Sequence, residues 1–163
     1  GKVDVDESSI GGKEPGKRGR SKGKKREFVI GVQMLKTKIV RAFAHQIQNA
    51  STKEVKPFFD QRVSNTAQVR VDKWRAYNPI KKYYPNMIQQ KSKPEQNFKL
   101  LHREIMMLKA AIRGIYHHVE HLQEYLNEYF FRKNLHDKST LFHTVVVNMM
   151  KAKPTFIHQL NLG

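Results

Sequence analysis

Asp6 and Asp72 are the acids of this 163-residue chain whose setting invites chemistry. Each belongs to a short alternating segment, VDVDE (3–7) or AQVRVD (67–72). Alternation of apolar and polar residues marks a strand with one buried face. If the two strands are neighbours, two carboxylates stand side by side in a protein that is otherwise strongly basic. Such a pair suits phosphoryl transfer with divalent metal ions, which neutralise phosphate, activate an attacking hydroxyl and stabilise the leaving oxygen. Hard oxygen ligands favour Mg²⁺ or Mn²⁺. The competing reading is of ordinary strand-edge acids, each paired with Lys or Arg.

A third position comes from the segment 97–113. Phe98, Leu101, Ile105, Leu108 and Ile112 recur at spacings of three and four, an apolar helical stripe that Gly114 ends. His102 and Lys109 are seven residues apart, so at ~100° per residue they differ by only about 20° around the axis. Met106 and Arg113 complete that row, at the edge of the buried stripe. A metal ligand and a phosphate-gripping cation on one face make a sensible layout for an active-site helix. Glu104 is rotated about 200° from His102 and should point away. The plainer reading of His102 is a half-buried packing histidine.

The elements that must position these groups follow from the rest of the pattern. EFVIGVQML (27–35) and KIVRAFAHQI (38–47) are rich in β-formers and are separated only by Lys36-Thr37, which predicts a hairpin. Ser51-x-x-Glu54 has capping-box spacing and opens a helix that contains Pro57, with the true start expected nearer Lys56. Met87-Ile88 is one more brief strand, and further helices are expected at about 119–132 and 139–151. The order β-β-β-α-β-α(β)-α-α predicts an α/β mixed sheet with helices packed on it.

Charge points to the partner. Thirty-one Lys and Arg against 14 Asp and Glu leave a formal charge of +17, and 39% apolar residues are enough for a folded core. A polyanion, nucleic acid above all, relieves the self-repulsion. The segment 13–26, KEPGKRGRSKGKKR, carries eight basic residues and one acid among four Gly or Pro. It predicts a loop that follows a DNA backbone, with Lys17, Arg18, Arg20, Lys22, Lys24, Lys25 and Arg26 as contacts, joined by Lys109 and Arg113 of the helix. Trp74 and Tyr77 could stack on an unpaired base, although anchoring a helix start is the commoner role. His117 and His121 are one turn apart, but no third zinc ligand accompanies them. Zero cysteines exclude disulfides and thiolate chemistry. Phosphate-binding glycine loops, serine elbows, bilayer-length apolar runs and a signal peptide are all missing from the sequence. The chain opens on Gly1, not Met, and is expected to be a fragment.

Four segments together resemble a known family: DESSIGGK (6–13), VDKWRAY (71–77), HREIMMLKAAIRGIYHHV (102–119) and HLQEYLNEYFFRKN (121–134). They are similar to DDE-type bacterial insertion-sequence transposases, within the insertion sequence fifteen-ninety-five family, with its DE-x-x-x-GGK start and YL-x-E-[FY]-x-FR-x-N ending. The resemblance implies an RNase H-like catalytic domain over 1–134 that cuts DNA at transposon ends and joins the 3′ hydroxyls to target DNA. The remainder, 135–163, is expected to be a helical extension packed on the same domain. It also implies that Asp6, Asp72 and His102 are catalytic metal ligands and that Lys109 is the basic residue seven places on. His102 stands where relatives carry Glu, Asn or His. A neutral imidazole adds no charge and suits Mn²⁺ better than Mg²⁺. The family's usual N-terminal zinc-binding region has no counterpart here. DNA is the implied partner, as transposon ends and target, with a homodimer in a synaptic complex, no membrane, and a cytoplasmic, nucleoid-associated location. The rival class is an inactive or domesticated transposase-derived protein that only binds DNA.

Overall fold

The computed structural model describes residues 1–11, 25–93, 96–117, 119–135 and 138–152. Five strands form one sheet: β1 (Lys2–Ile10), β2 (Arg26–Leu35), β3 (Lys38–Ile47), β4 (Gln68–Val71) and β5 (Met87–Gln89). Their spatial order is β3-β2-β1-β4-β5. β1, β2 and β3 run antiparallel, whereas β4 lies parallel to β1 and β5 parallel to β4. With the helices α1 (Thr52–Arg62), α2 (Asn78–Lys81), α3 (Lys99–Ala111), α4 (Leu122–Asn134) and α5 (Lys138–Lys151), this is the expected α/β RNase H-like mixed sheet flanked by helices.

Two apolar layers sandwich the sheet because its central strands bury both faces. On one side Val3, Val5, Val29, Val69 and Val71 meet Phe58 and Phe59 of α1 and the aromatic Tyr77 and Tyr84. On the other, Ile10, Phe28, Ile30 and Val32 meet Leu101, Ile105 and Leu108 of α3 and Leu122, Leu126 and Phe130 of α4. Gly31 in mid-β2 is required by this packing. A Cβ there would stand 2.9 Å from the Phe43 ring and 3.1 Å from Phe58.

The structure differs from the sequence reading at several boundaries. β1 continues to Ile10, and Gly11, at φ 142°, turns the chain where L side chains are strained. The Lys36-Thr37 turn joins β2 and β3 as expected, with Lys36 left-handed at φ 55°. α1 begins at Thr52 and carries Pro57 within it, but its capping box does not form. Ser51 makes no side-chain cap, and Glu54 instead accepts the N–H of Gln48 at 3.0 Å. α3 ends in a π-turn at Ile112–Tyr116, and His117 at φ 59° breaks the chain before α4. His117 and His121 therefore occupy different elements, and His118 is outside the described residues.

α4 explains its own motif in structural terms. β3 is a sheet edge, with backbone groups facing outward that would otherwise invite another strand. The Asn134 amide accepts the N–H of Ala42 at 2.8 Å and donates to its carbonyl at 2.7 Å. Gln123 accepts the N–H of Gln46 at 2.8 Å. The helix thus closes the edge with two amide side chains. Of the aromatic pair, Phe130 docks on the core, but Phe131 is 43% exposed and does not dock; Arg132 pairs with Glu128.

Candidate metal and DNA site

Parallel pairing of β1 with β4 decides where the acids go. The ladder matches Asp4 with Arg70 and Val5 with Val71, so its next step leads Asp6 towards Asp72 at the same end of the sheet. An antiparallel pair in that place would have sent the two strand ends apart. One carboxylate oxygen from each of Asp6, Asp72 and Glu7 lies within 4.8 Å of the other two, and all three residues are half-buried. The Asp6 and Asp72 side chains are steadied by local backbone. Asp72 accepts the N–H of Trp74 at 2.8 Å, and Asp6 that of Glu7 at 2.9 Å.

Glu7 was not singled out from the sequence. Alternation assigns it to the sheet face opposite Asp6, which discourages pairing the two in one site. Just past the last β1–β4 pair, however, both carboxylates reach the same space beside Asp72. The acidic dipeptide Asp6-Glu7 at the head of the first quoted motif is the signal that could have found it. Beneath it lies Tyr77, fully buried and so not a platform for an incoming base. Its hydroxyl is held well above the usual phenol range, first by burial, then by the nearby Glu7, Asp6 and Asp72 charges. Trp74 is anchored by its indole N–H, which donates to the Ala50 carbonyl at 2.8 Å.

α3 brings the remaining groups. His102 Nε2 stands 3.8 Å from Asp6 Oδ2 and 3.4 Å from the Ser92 hydroxyl. The His102 side chain keeps about a third of its surface open, so it is neither a core histidine nor a solvent one. Lys109 shares the half-buried edge of the helix. Burial and the neighbouring Arg113 push its amine below the usual lysine range, while Asp6 pulls it back up, which puts Lys109 within electrostatic reach of the acids. Arg113 is exposed on the π-turn. As its angle requires, Glu104 turns away: fully buried, it meets Lys133 at 3.0 Å and accepts from Tyr129 at 3.1 Å.

Asp4, two residues before Asp6, takes the ordinary role weighed for the strand acids. It is buried, and its two oxygens receive the Arg70 guanidinium at 2.6 Å each. Arg70 in turn lies over the Phe98 ring, at 5.4 Å from its centroid, at the N-terminus of α3. The pair ties β1 to β4 directly below the carboxylate cluster. Of the basic segment, Lys25 and Arg26 lead into β2 with Arg26 opposite Ile10, while Lys17, Arg18, Arg20, Lys22 and Lys24 are outside the described residues. No helix among the described residues is long and apolar enough to cross a membrane.

The donor set fits divalent cations: three crowded carboxylates, an imidazole beside them, and a surrounding excess of positive charge that a phosphate would neutralise. Comparison with known proteins points the same way. The family model described as the ISXO2-like transposase domain matches residues 1–134, which takes in every group of the cluster. Comparison with curated proteins gave no match.

Proposed function

Because the chain belongs to the ISXO2-like (IS1595) transposase family, a family of DNA-acting enzymes that use divalent metal, we propose that its carboxylate cluster cleaves DNA at transposon ends and transfers the strand to target DNA. The observation that carries this reading is the convergence of Asp6 and Asp72, with Glu7, within 4.8 Å just past the last β1–β4 pair, Val5 with Val71. Crowded like charges are costly without a cation, which favours a metal-using site over one that only binds DNA.

In this reading Asp6 and Asp72 hold the metal and His102 is the third ligand beside Asp6. When bound, divalent ions there supply charge neutralisation at the phosphate and activation of the attacking water or 3′ hydroxyl. Lys109 directs its ammonium at the phosphate whose charge develops during displacement, a role supported by its half-buried position on the same helix face as His102 and by the influence of the Asp6 charge on its amine. Arg113, Lys25 and Arg26 prolong the cationic track along the backbone, joined by Lys17, Arg18, Arg20, Lys22 and Lys24. Asp4–Arg70 and the buried Tyr77 hold the frame. One imidazole among carboxylates favours Mn²⁺ over Mg²⁺. Synapsis of two ends calls for a homodimer, and the substrate places the protein with the nucleoid in the cytoplasm.

The test is nicking of supercoiled plasmid and joining of a 3′-hydroxyl oligonucleotide carrying the transposon end, with EDTA, Mg²⁺ or Mn²⁺. Expected is metal-dependent cleavage and joining, highest with Mn²⁺, reduced at least ~1,000-fold by Asp6→Asn with DNA affinity retained. Cleavage unaffected by Asp6→Asn would overturn the assignment. Binding without cleavage in either metal would favour the DNA-binding rival.

A further inference from the structure

The outward face of α3 carries a feature that metal chemistry does not use. Lys99, His102, Arg103, Met106, Met107 and Ala110 line an open groove of about 660 Å³. That volume is in the range of small-ligand sites. Its floor is apolar: Met106 is 71% and Met107 47% exposed, in a protein with mean hydropathy −0.68. Its rim is cationic, through Lys99 and Arg103. The only acid of α3 is Glu104, which is buried on the opposite side against Tyr129 and Lys133. At its inner end the groove includes His102, 3.8 Å from Asp6.

We propose that this groove binds unpaired nucleotides of the DNA strand next to the phosphate being cut. The inference deepens the transposase reading and rests on it. The occupant must have apolar faces to cover two methionines and negative charge to satisfy Lys99 and Arg103. It must also run continuously into the carboxylate site, because His102 belongs to both. A duplex offers the groove only base edges and phosphates, since its base faces are stacked on each other. An unpaired strand offers base faces to the polarizable thioethers and phosphates to the rim. An apolar partner helix would cover the methionines but leave the rim cations unanswered. Methionine also suits a site that must accept any base, because its flexible side chain repacks without fixed hydrogen bonds.

The experiment is fluorescence anisotropy in EDTA with a labelled single strand of about twelve nucleotides and with the same sequence as duplex. Removing the metal separates this binding from the catalytic reading. Asp6→Asn should bind the single strand at least as well as the parent whether or not the enzyme cleaves. The double variant Met106→Ala, Met107→Ala changes only exposed side chains. It should weaken single-strand binding by ~5-fold, as expected for the loss of two thioether–base contacts, and leave duplex affinity within about two-fold. Lys99→Ala with Arg103→Ala should flatten the single-strand salt slope by ~0.7 per lost phosphate contact. Equal loss for single strand and duplex, or no loss for either, would overturn the proposal. So would sedimentation showing that the methionine variant dissociates a dimer of the parent, which would make the groove a protein interface.

Discussion

Two regions of α3 handle buried charge in opposite ways. On its inner face Glu104 is closed off: a carboxylate with no exposure, one lysine at 3.0 Å and one tyrosine donor. On its outer edge His102 stands 3.8 Å from Asp6, which with Glu7 and Asp72 makes up three carboxylates drawn within 4.8 Å of one another. The first arrangement resembles Asp4–Arg70, a one-to-one neutralisation that links two elements. The second gathers like charge, which by itself opposes folding. The contrast separates acids neutralised one-to-one within the frame from acids crowded together. It is clearest along β1, where Asp4 and Asp6 lie two residues apart on one face: Asp4 pairs with Arg70, whereas Asp6 joins Glu7 and Asp72.

The contrast is sharpened by removing charge from each kind of cluster and comparing signs. The largest effect belongs to the closed pairs. Arg70→Met strands Asp4 as a buried, unpaired carboxylate and should cost ~3–5 kcal/mol, read as a lowered urea midpoint. Lys133→Met should do the same to Glu104. A loss below about 1 kcal/mol in both would mean that these pairs are not closed in the sense argued.

The crowded cluster should respond in the opposite direction. Asp72→Asn removes one of three repelling charges and should stabilise the metal-free protein by about 1 kcal/mol. The same change should abolish the added thermal stability that the parent gains from Mn²⁺, because a ligand that binds only the folded state stabilises it by mass action. Destabilisation of the metal-free protein by Asp72→Asn would place Asp72 among the frame residues.

The smallest effect concerns Lys109. Its folded-state pKa lies below the ordinary value of 10.5, chiefly through burial. Between the lowered value and 10.5 the unfolded chain binds more protons, so stability rises with pH across that window. Below it the full cost of burying the charge is present. Lys109→Met should therefore be slightly more stable at neutral pH, read as a small rise in Tm. That advantage should shrink as pH approaches 10.5. A constant difference at every pH would show that packing, not charge, separates the two proteins.

Much of the frame is legible in the sequence because its periods are clean. Alternation in 3–7 and 67–72 and the three-four spacing from Phe98 to Ile112 each identify an element. The same spacing places Glu104 away from His102, and the structure agrees. What periodicity does not contain is what happens where elements stop. Glu7 joins the cluster where β4 has ended and leaves β1 without its parallel neighbour, and the π-turn after α3 separates His117 from His121. Asp4 was equally invisible as a frame residue, since its partner Arg70 lies 66 positions away and only the β1–β4 register brings them together. The capping-box spacing at Ser51 misleads because Glu54 finds a donor outside the helix, at Gln48.

The most direct measurement of the central claim is spin-echo spectroscopy of Mn²⁺ bound to the parent, His102→Ala and Asp6→Asn proteins. Expected is a nitrogen coupling from a directly bound imidazole in the parent. It should be lost in His102→Ala, where Mn²⁺ binds more weakly through the carboxylates, and Mn²⁺ binding should fall sharply in Asp6→Asn. Mn²⁺ bound with equal affinity by all three proteins and without nitrogen coupling would contradict a metal site built from Asp6, Asp72 and His102.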